Sequence, residues 1–267
     1  MTILQSIILG IVQGVTELLP ISSSAHLNLI PWIFNWTNSQ GFNQGFQAFD
    51  VALHAGTLLS ILIFFFKDWI ELIKGGFNQV VKKQKTPEGR MFWYIVLATL
   101  PGGAIGFLLD HFLEGYLEKP IIIAIALIVM GIILYIVDKN SKSETEYKDM
   151  TLKQTFLIGL SQCLAFIPGV SRSGVTMTTG RIMGVKRESV AKYSFMLSAP
   201  IVFAATIYKL KDFVFSIPFV IGVLASFVVG IFVIKFLLDY LKKGSFKVFA
   251  IYRVIIGLIV IAICMIR

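Results

Sequence analysis

The chain has 267 residues, of which 56% are hydrophobic and only 15% are charged, and its mean hydropathy is +0.81. Soluble domains carry about 25% charged residues, so this composition excludes a soluble enzyme, a disordered chain and a nucleic-acid-binding domain. The two cysteines, Cys163 and Cys264, provide neither a disulfide framework nor a zinc cluster. We therefore expect an all-α polytopic membrane protein.

Two kinds of apolar segment alternate along the chain. A helix needs about 20 mostly apolar residues to cross a bilayer. Six runs of this kind predict transmembrane helices: 49–66, 91–109, 120–137, 190–208, 213–234 and 248–266. Two further apolar stretches, 2–30 and 151–183, are interrupted by proline and serine. We expect each to be re-entrant, entering the membrane, turning and leaving on the same side. The first has no basic residue before its apolar part, which argues against a signal peptide.

The basic residues are unevenly divided between the connections. Sixteen lysines and arginines lie on one side of the predicted spans and four on the other. The positive-inside rule makes the basic side cytoplasmic, so both termini are expected outside the cytoplasm. This topology explains the net charge of +9, and no nucleic acid is expected as a partner.

The two interrupted stretches resemble each other. Gln13 and Pro20 in the first correspond to Gln162 and Pro168 in the second, with a gap of one residue. Each stretch is followed by three predicted spans, and because three is odd the second copy is expected upside down, as in the inverted repeats of transporters. We predict a first repeat at 1–137, a cytoplasmic linker at 138–150 and a second repeat at 151–267.

Polar residues cluster at the first interruption. Gln13 and Glu17 are four residues apart and share one helix face. A carboxylate inside a membrane marks a function by default, although Glu17 could instead be protonated or serve as a structural partner of Arg172. After Pro20 the sequence offers the start of a new helix and a histidine: Ser22, Ser23, Ser24 and His26. A helix start that faces a cavity is an anion site.

The second interruption places an arginine among hydroxyl groups. The guanidinium of Arg172 suits phosphate oxygens, and three hydroxyl residues lie next to it: Ser171, Ser173 and Thr176. An Arg172–Glu17 ion pair without a ligand is the alternative. Together the two interruptions indicate a site for a phosphoester. Asp50 and His54 share a face at the start of the first span and could line its entrance, but such a pair more often forms an interfacial hydrogen bond.

The motifs QGVTELLPISSSAH at 13–26 and PGVSRSGVT at 168–176 resemble the two signature motifs of the bacterial undecaprenyl-diphosphatase family, known for bacitracin resistance. The resemblance covers essentially the whole chain. It implies hydrolysis of undecaprenyl pyrophosphate to undecaprenyl phosphate, which recycles the lipid carrier for peptidoglycan and other envelope polymers. It also implies catalytic roles for Ser23, His26 and Arg172 at the bacterial cell membrane. Glu17, as a carboxylate inside the membrane, is expected to be catalytic with them.

The sequence leaves the chemical roles of the individual residues open. Ser23, His26 or a water could attack phosphorus. The residues expected to bind substrate are Gln13, Ser22, Ser24, Ser171, Ser173 and Thr176. Glu17 with Gln13 could hold Mg²⁺ or Ca²⁺, since both cations choose oxygen ligands, although the family also allows Glu at the first of these positions, so Gln13 leaves one carboxylate fewer.

A second function is compatible with the same pattern. Inverted repeats and broken helices also suit a transporter or flippase of a phosphorylated polyprenyl lipid, which would not require His26 beside Ser23. The expected partners are a polyprenyl pyrophosphate and membrane lipids, and the sequence leaves room for a homodimer.

Overall fold

The computed structural model describes residues 1–36, 40–109 and 119–267. Over these ranges the protein is built from eleven α-helices with short connections: α1 (Ile3–Thr16), α2 (Ser23–Ile33), α3 (Gln40–Phe64), α4 (Phe66–Val81), α5 (Pro87–Leu109), α6 (Pro120–Asn140), α7 (Leu152–Ser161), α8 (Arg172–Ile182), α9 (Arg187–Lys209), α10 (Ile217–Leu241) and α11 (Lys247–Ile266). A 3₁₀ turn, Gln162–Phe166, follows α7.

Five segments among the described residues are long and apolar enough to cross a membrane: Phe46–Phe64, Pro120–Asn140, Arg187–Asp212, Ile217–Leu241 and Lys247–Ile266. The prediction of an all-α polytopic membrane protein is therefore confirmed. The sixth predicted span, 91–109, is helical within α5 but is not among these five. The side chains of residues 106–109 lie outside the described part of the chain, so a spanning length for α5 stays a prediction.

Both predicted interruptions are present and are built alike. Residues 17–22 separate α1 from α2, and the 3₁₀ turn with residues 167–171 separates α7 from α8. Each interrupted stretch begins with the same reciprocal cap, in which a threonine hydroxyl and a glutamine side chain bond each other's backbone N–H groups. The pairs are Thr2 with Gln5 and Thr151 with Gln154. The shared local structure follows the sequence repeat, while the inverted orientation of the halves stays a prediction.

The connection between the first two predicted spans contains a further helix, α4. α4 carries a stripe of exposed apolar side chains at helical spacing, including Phe66, Ile73 and Phe77. Lysines lie between and after them, an arrangement typical of a helix in the membrane interface. α4 turns back onto α5 where Gly75 meets Gly89, since a Cβ on Gly75 would lie 2.6 Å from the Gly89 nitrogen.

The two halves of the chain are interleaved. α1 and α3 both pack on α10, α6 packs on α11, α5 on α7, and α3 on α9. In each of these pairs one helix comes from residues 1–137 and the other from residues 151–267. The interior of the protein is therefore formed between the halves, and each half contributes one of the two interruptions to it.

Helices α1 and α10 pack closely, and their contact depends on small residues. A Cβ on Gly10 would lie 2.8 Å from the Cβ of Ala225 and would also clash with the carbonyl oxygen of Gly222. Small residues that let two backbones approach in this way are typical of helix contacts in membranes. This contact fixes α1, and with it the first interruption, against the second half of the chain.

Gly10→Ala is expected to lower the free energy of unfolding by about 1–3 kcal/mol, because a methyl group has no room between α1 and α10. The matched control is Gly103→Ala, since a Cβ at Gly103 meets nothing within 4 Å in the described structure. Both changes give the same gain in helix propensity, so only packing distinguishes them. Equal unfolding midpoints in SDS titration would show that the α1–α10 contact is not tight.

A buried ion cluster closes the basic side of the molecule. Asp138 at the end of α6 accepts hydrogen bonds from Arg181 at 2.9 Å, from Arg187 at 2.7 Å and from the backbone N–H of Phe246 at 3.0 Å. One carboxylate thus joins the ends of α6 and α8 to the starts of α9 and α11. Arg181 is 1% exposed and also bonds the carbonyl oxygens of the 138–150 linker, so this cluster is structural.

Candidate active site

Each interruption ends in a serine that caps the following helix. Ser22 has φ +76° and ψ +97°, and Ser171 has φ +72° and ψ +118°, both in a region that residues other than glycine rarely adopt. The Ser22 hydroxyl accepts the N–H of Ala25, and the Ser171 hydroxyl accepts the N–H of Gly174. Uncommon backbone angles in non-glycine residues cluster at functional sites. Here they turn two helix starts toward the interior.

The two helix starts line one cavity of about 270 Å³. Ser23 and Ser24 contribute from the first residues of α2, and Ser171 and Arg172 from the start of α8. The other described lining residues are Glu17, Asp50, Val51, His54, Gly102, Gln162, Ala165, Phe166, Ile201, Val202 and Ala205. The first N–H groups of a helix have no acceptor within the helix. Two such ends at one cavity make it suited to an anion.

Glu17 contacts most of the polar side chains at the cavity. Its Oε1 is paired with Arg172, and its Oε2 accepts the hydroxyl of Ser23 at 2.5 Å and the amide of Gln13 at 3.3 Å. The Arg172–Glu17 ion pair that the sequence allows is therefore present, and it joins the two interruptions directly. The same carboxylate holds the Ser23 hydroxyl hydrogen, which places a proton acceptor on a hydroxyl group that faces the cavity.

The ion pair does not use all of the Arg172 guanidinium. Its Nη1 is buried and has no hydrogen-bond partner in the part of the chain that the structure describes. The Oε1 of Gln162 is likewise buried without a partner in those ranges, and Gln162 lines the cavity. Buried polar atoms are normally paired. These two indicate that a polar ligand belongs in the cavity, with an anionic group beside Arg172.

His54 approaches Glu17 from α3. Its Nδ1 lies 2.9 Å from the backbone carbonyl of Asp50, which only accepts hydrogen bonds, so Nδ1 carries a hydrogen. Its Nε2 lies 3.3 Å from Glu17 Oε2. An attractive contact there requires a proton between the two atoms. His54 therefore supplies a hydrogen bond to the carboxylate that also holds Ser23.

His54→Leu is expected to lower kcat/KM about tenfold or more, because it removes a hydrogen-bond donor from the buried Glu17 carboxylate. His54→Gln keeps an N–H donor of similar reach and is expected to retain most of the activity. Steady-state kinetics of the two purified variants check this. Equal losses in both variants would contradict a role for His54 as a hydrogen-bond donor to Glu17.

His26 lies apart from the cavity. Its Nδ1 contacts the Ser22 carbonyl oxygen at 2.7 Å, and its Nε2 contacts the hydroxyl of Tyr252 on α11, also at 2.7 Å. The two rings are stacked, with centroids 5.6 Å apart. His26 is one helical turn past Ser22, as expected, but on the face of α2 that meets α11. The structure therefore does not bring His26 beside Ser23 at the cavity.

The predicted substrate-binding residues fall into two groups. Ser24 and Ser171 line the cavity, whereas Ser22, Ser173 and Thr176 act in the scaffold next to it. The Ser173 hydroxyl donates to the Leu19 carbonyl at 2.9 Å and so joins the two interruptions, and Thr176 bonds Ser194 on α9 at 2.7 Å. Gln13 is behind Glu17 and is fully buried.

Four residues near the site were not in the predicted set. The sequence offers a reason to select His54, because His54 shares a helix face with Asp50. It offers one for Gln162 as well, because Gln162 is the repeat counterpart of Gln13. Arg253 had a weaker signal, as an arginine inside the last apolar run. Tyr252 had none that a single sequence offers, because its role depends on α11 packing beside α2.

The fold defines a multi-pass membrane protein, and its two broken helices both contribute to the wall of one polar cavity. The family model of bacitracin resistance protein BacA matches residues 6–259. The chain is 47% identical to the undecaprenyl-diphosphatase of Pelotomaculum thermopropionicum, over 100% of this chain and 98% of that protein. It is 42% identical to the undecaprenyl-diphosphatase of Moorella thermoacetica, over 100% of both chains. The chain belongs to the BacA family, as its motifs predict.

Proposed function

We propose that this protein hydrolyses undecaprenyl pyrophosphate to undecaprenyl phosphate and phosphate, and so recycles the lipid carrier of envelope polymers and confers bacitracin resistance. Membership of the BacA family supports this activity. The observation that carries it in the structure is the joint placement of Ser23, Glu17 and Arg172 on one cavity. A nucleophile, a proton acceptor and a phosphate-binding group thus lie together.

The proposed reaction begins at Ser23. Its Oγ attacks the terminal phosphorus while its proton passes to Glu17 Oε2, to which it is already bonded at 2.5 Å. The bond from phosphorus to the bridging oxygen breaks, and the electron pair leaves with undecaprenyl phosphate. The departing phosphate takes the proton from Glu17. Water then attacks the phosphoserine phosphorus and gives a proton to Glu17, which passes it to Ser23 Oγ as the bond between Oγ and phosphorus breaks. Placement of His26 against Tyr252 favours Ser23 over His26 as the nucleophile.

The charge that develops on the transferred phosphoryl group must be stabilised by preorganised hydrogen-bond donors. Such donors supply most of the catalysis in phosphoryl transfer. Arg172 Nη1, buried and without a partner among the described residues, is one such donor. The N–H groups at the starts of α2 and α8 are others. Ser24 and Ser171 add hydroxyl groups from the same cavity wall.

The residues at the site offer few oxygen ligands for a divalent cation, so the substrate would have to supply the others. Gln13 Oε1 is buried and has no partner in the described ranges, and with Glu17 it offers the oxygen donors that Mg²⁺ or Ca²⁺ takes. No group of three His, Cys, Asp or Glu that could hold a metal occurs among the described residues. Glu17 lines the cavity and would be the residue that holds the ion, with Gln13 buried next to it. The ion would neutralise charge on the diphosphate.

The site is proposed to open to the outer side of the cell membrane, with both termini on that side. The charge bias between the connections supports the placement of the termini. The family resemblance supports the outward opening of the site, because the carrier is released as the pyrophosphate outside the cytoplasm. The apolar part of the cavity wall, which includes Val51, Ile201 and Val202, gives the prenyl chain a route between helices. A homodimer stays a prediction.

The decisive experiment measures phosphate release and lipid movement on the same preparation. Purified protein in detergent is expected to release phosphate from a long-chain prenyl pyrophosphate, and the Ser23→Ala/Arg172→Lys double variant is expected to release none. Proteoliposomes that carry fluorescent lipid report movement between leaflets. Lipid movement without phosphate release would support the transporter alternative and contradict the phosphatase.

A further inference from the structure

Arg253 on α11 is buried within the membrane-spanning part of the protein, with 0% of its surface exposed. Its guanidinium donates to four backbone carbonyls. Nη1 bonds Pro20 at 3.0 Å, Nη2 bonds Gly169 at 2.7 Å and Val170 at 3.0 Å, and Nε bonds Leu127 at 3.3 Å. One side chain therefore contacts both interruptions at once.

The interruptions create the acceptors that Arg253 uses. Where a helix breaks inside a membrane, its carbonyl groups lose their helical N–H partners and must be satisfied by other donors. Pro20 lies in the first break, and Gly169 and Val170 lie in the second. Arginine suits this position, because its planar guanidinium has five N–H donors in a rigid fork. A lysine ammonium is a point charge on a flexible chain and cannot reproduce that geometry.

The clamped carbonyls are close in sequence to the reacting groups. Val170 directly precedes Ser171 and is two residues from Arg172, and Pro20 is three residues before Ser23. Ser171 has a positive φ, so its backbone needs support from neighbouring contacts. Arg253 itself is not among the residues that line the cavity. Any effect it has on the reaction must pass through the two helix starts.

We infer that Arg253 is a positioning residue that sets the distance between the nucleophile on α2 and the phosphate-binding arginine on α8. This inference rests on the proposed phosphatase function. Both breaks hydrogen-bond to one rigid group, so their relative position follows the guanidinium. In-line transfer is sensitive to displacements of about 1 Å. Losing the clamp therefore weakens binding of the transition state more than binding of the substrate.

The test compares substrate and transition-state binding in Arg253→Lys and Arg253→Gln. Steady-state phosphate release gives kcat and KM, and orthovanadate serves as the probe that mimics the phosphoryl group in transfer. We expect kcat/KM to fall at least tenfold, the vanadate Ki to rise by a similar factor, and KM to change less than threefold. An unchanged vanadate Ki in both variants would overturn the inference, since loss of folded protein lowers apparent kcat alone.

A matched control is Arg181→Lys, which alters another buried arginine at the opposite end of α8 from Arg172. It is expected to lower stability and leave the vanadate Ki unchanged. A rise in Ki there equal to that in the Arg253 variants would show a general effect of loosened packing, and would overturn the specific role.

A second variant covers the case in which neither Arg253 variant folds. A Cβ on Gly174 would lie 2.8 Å from Arg253 Nη1 and 3.0 Å from the Cβ of Ser171, so Gly174→Ala displaces the guanidinium, the nearer of the two, without removing it. We expect a rise in the vanadate Ki, and an unchanged value would refute the positioning role. A wild-type protein that releases no phosphate would instead refute the proposed function, so the two failures are distinct.

Discussion

Arg172→Lys is expected to lower kcat/KM by about 10²–10³-fold while the protein still folds. Removal of one donor to the developing charge in a transition state has an effect of this size. Lysine keeps the positive charge beside Glu17, but it cannot contact Glu17 and a phosphoryl oxygen through a single planar fork. In the structure Nη2 of the guanidinium is paired with Glu17, and Nη1 is buried without a hydrogen-bond partner among the described residues.

Steady-state phosphate release and the thermal unfolding midpoint of the purified variant provide the measurement. Arg187→Lys is the control, because Arg187 pairs with Asp138 outside the cavity and should keep full activity. Near-normal turnover of Arg172→Lys would mean that Arg172 serves only as the structural partner of Glu17.

Ser23→Ala is expected to reduce turnover at least about 10³-fold, because a nucleophile that acts as part of a catalytic unit accounts for most of the rate. Substrate affinity should change little, since Arg172 and the helix starts remain in place. Turnover is measured as phosphate release, and affinity by direct binding of radiolabelled prenyl pyrophosphate.

A suitable control for this variant is Ser198→Ala. Ser198 is buried on α9, and its hydroxyl bonds only a carbonyl of its own helix at 2.7 Å among the contacts described. It should retain wild-type turnover. Substantial hydrolysis by Ser23→Ala would exclude Ser23 as the nucleophile and leave a water, activated by Glu17, as the attacking group.

The positions of the two breaks could be predicted because local chemistry decides them. A proline followed by serines ends one helix and caps the next, and both capping serines lie where the sequence places them. The meeting of Glu17 with Arg172 could also be anticipated, since each is too costly inside a membrane to stand unpaired. These features depend on residues close in sequence or on strong electrostatic constraints.

The remaining parts of the site depend on packing between distant helices. His54 reaches Glu17 because α3, which carries His54, and α1, which ends just before Glu17, both pack on α10. The α3–α10 contact is close, since a Cβ on Gly56 would lie 2.6 Å from the carbonyl oxygen of Val223. Arg253 reaches both breaks from the last helix of the chain. A hydropathy pattern shows that these helices exist but not which face meets which neighbour. For the same reason, the sequence does not show that His26 lies on the face of α2 that meets α11 and not at the cavity.

The most direct test of the proposed chemistry is a rapid-quench reaction with prenyl pyrophosphate labelled with ³²P on its terminal phosphate. The mechanism predicts label on the protein within a single turnover, stable to acid and labile to base, on a peptide that contains Ser23. Label that is instead labile to acid and maps to His26 would contradict it. Full formation of product with no protein-bound label at any time would contradict it as well.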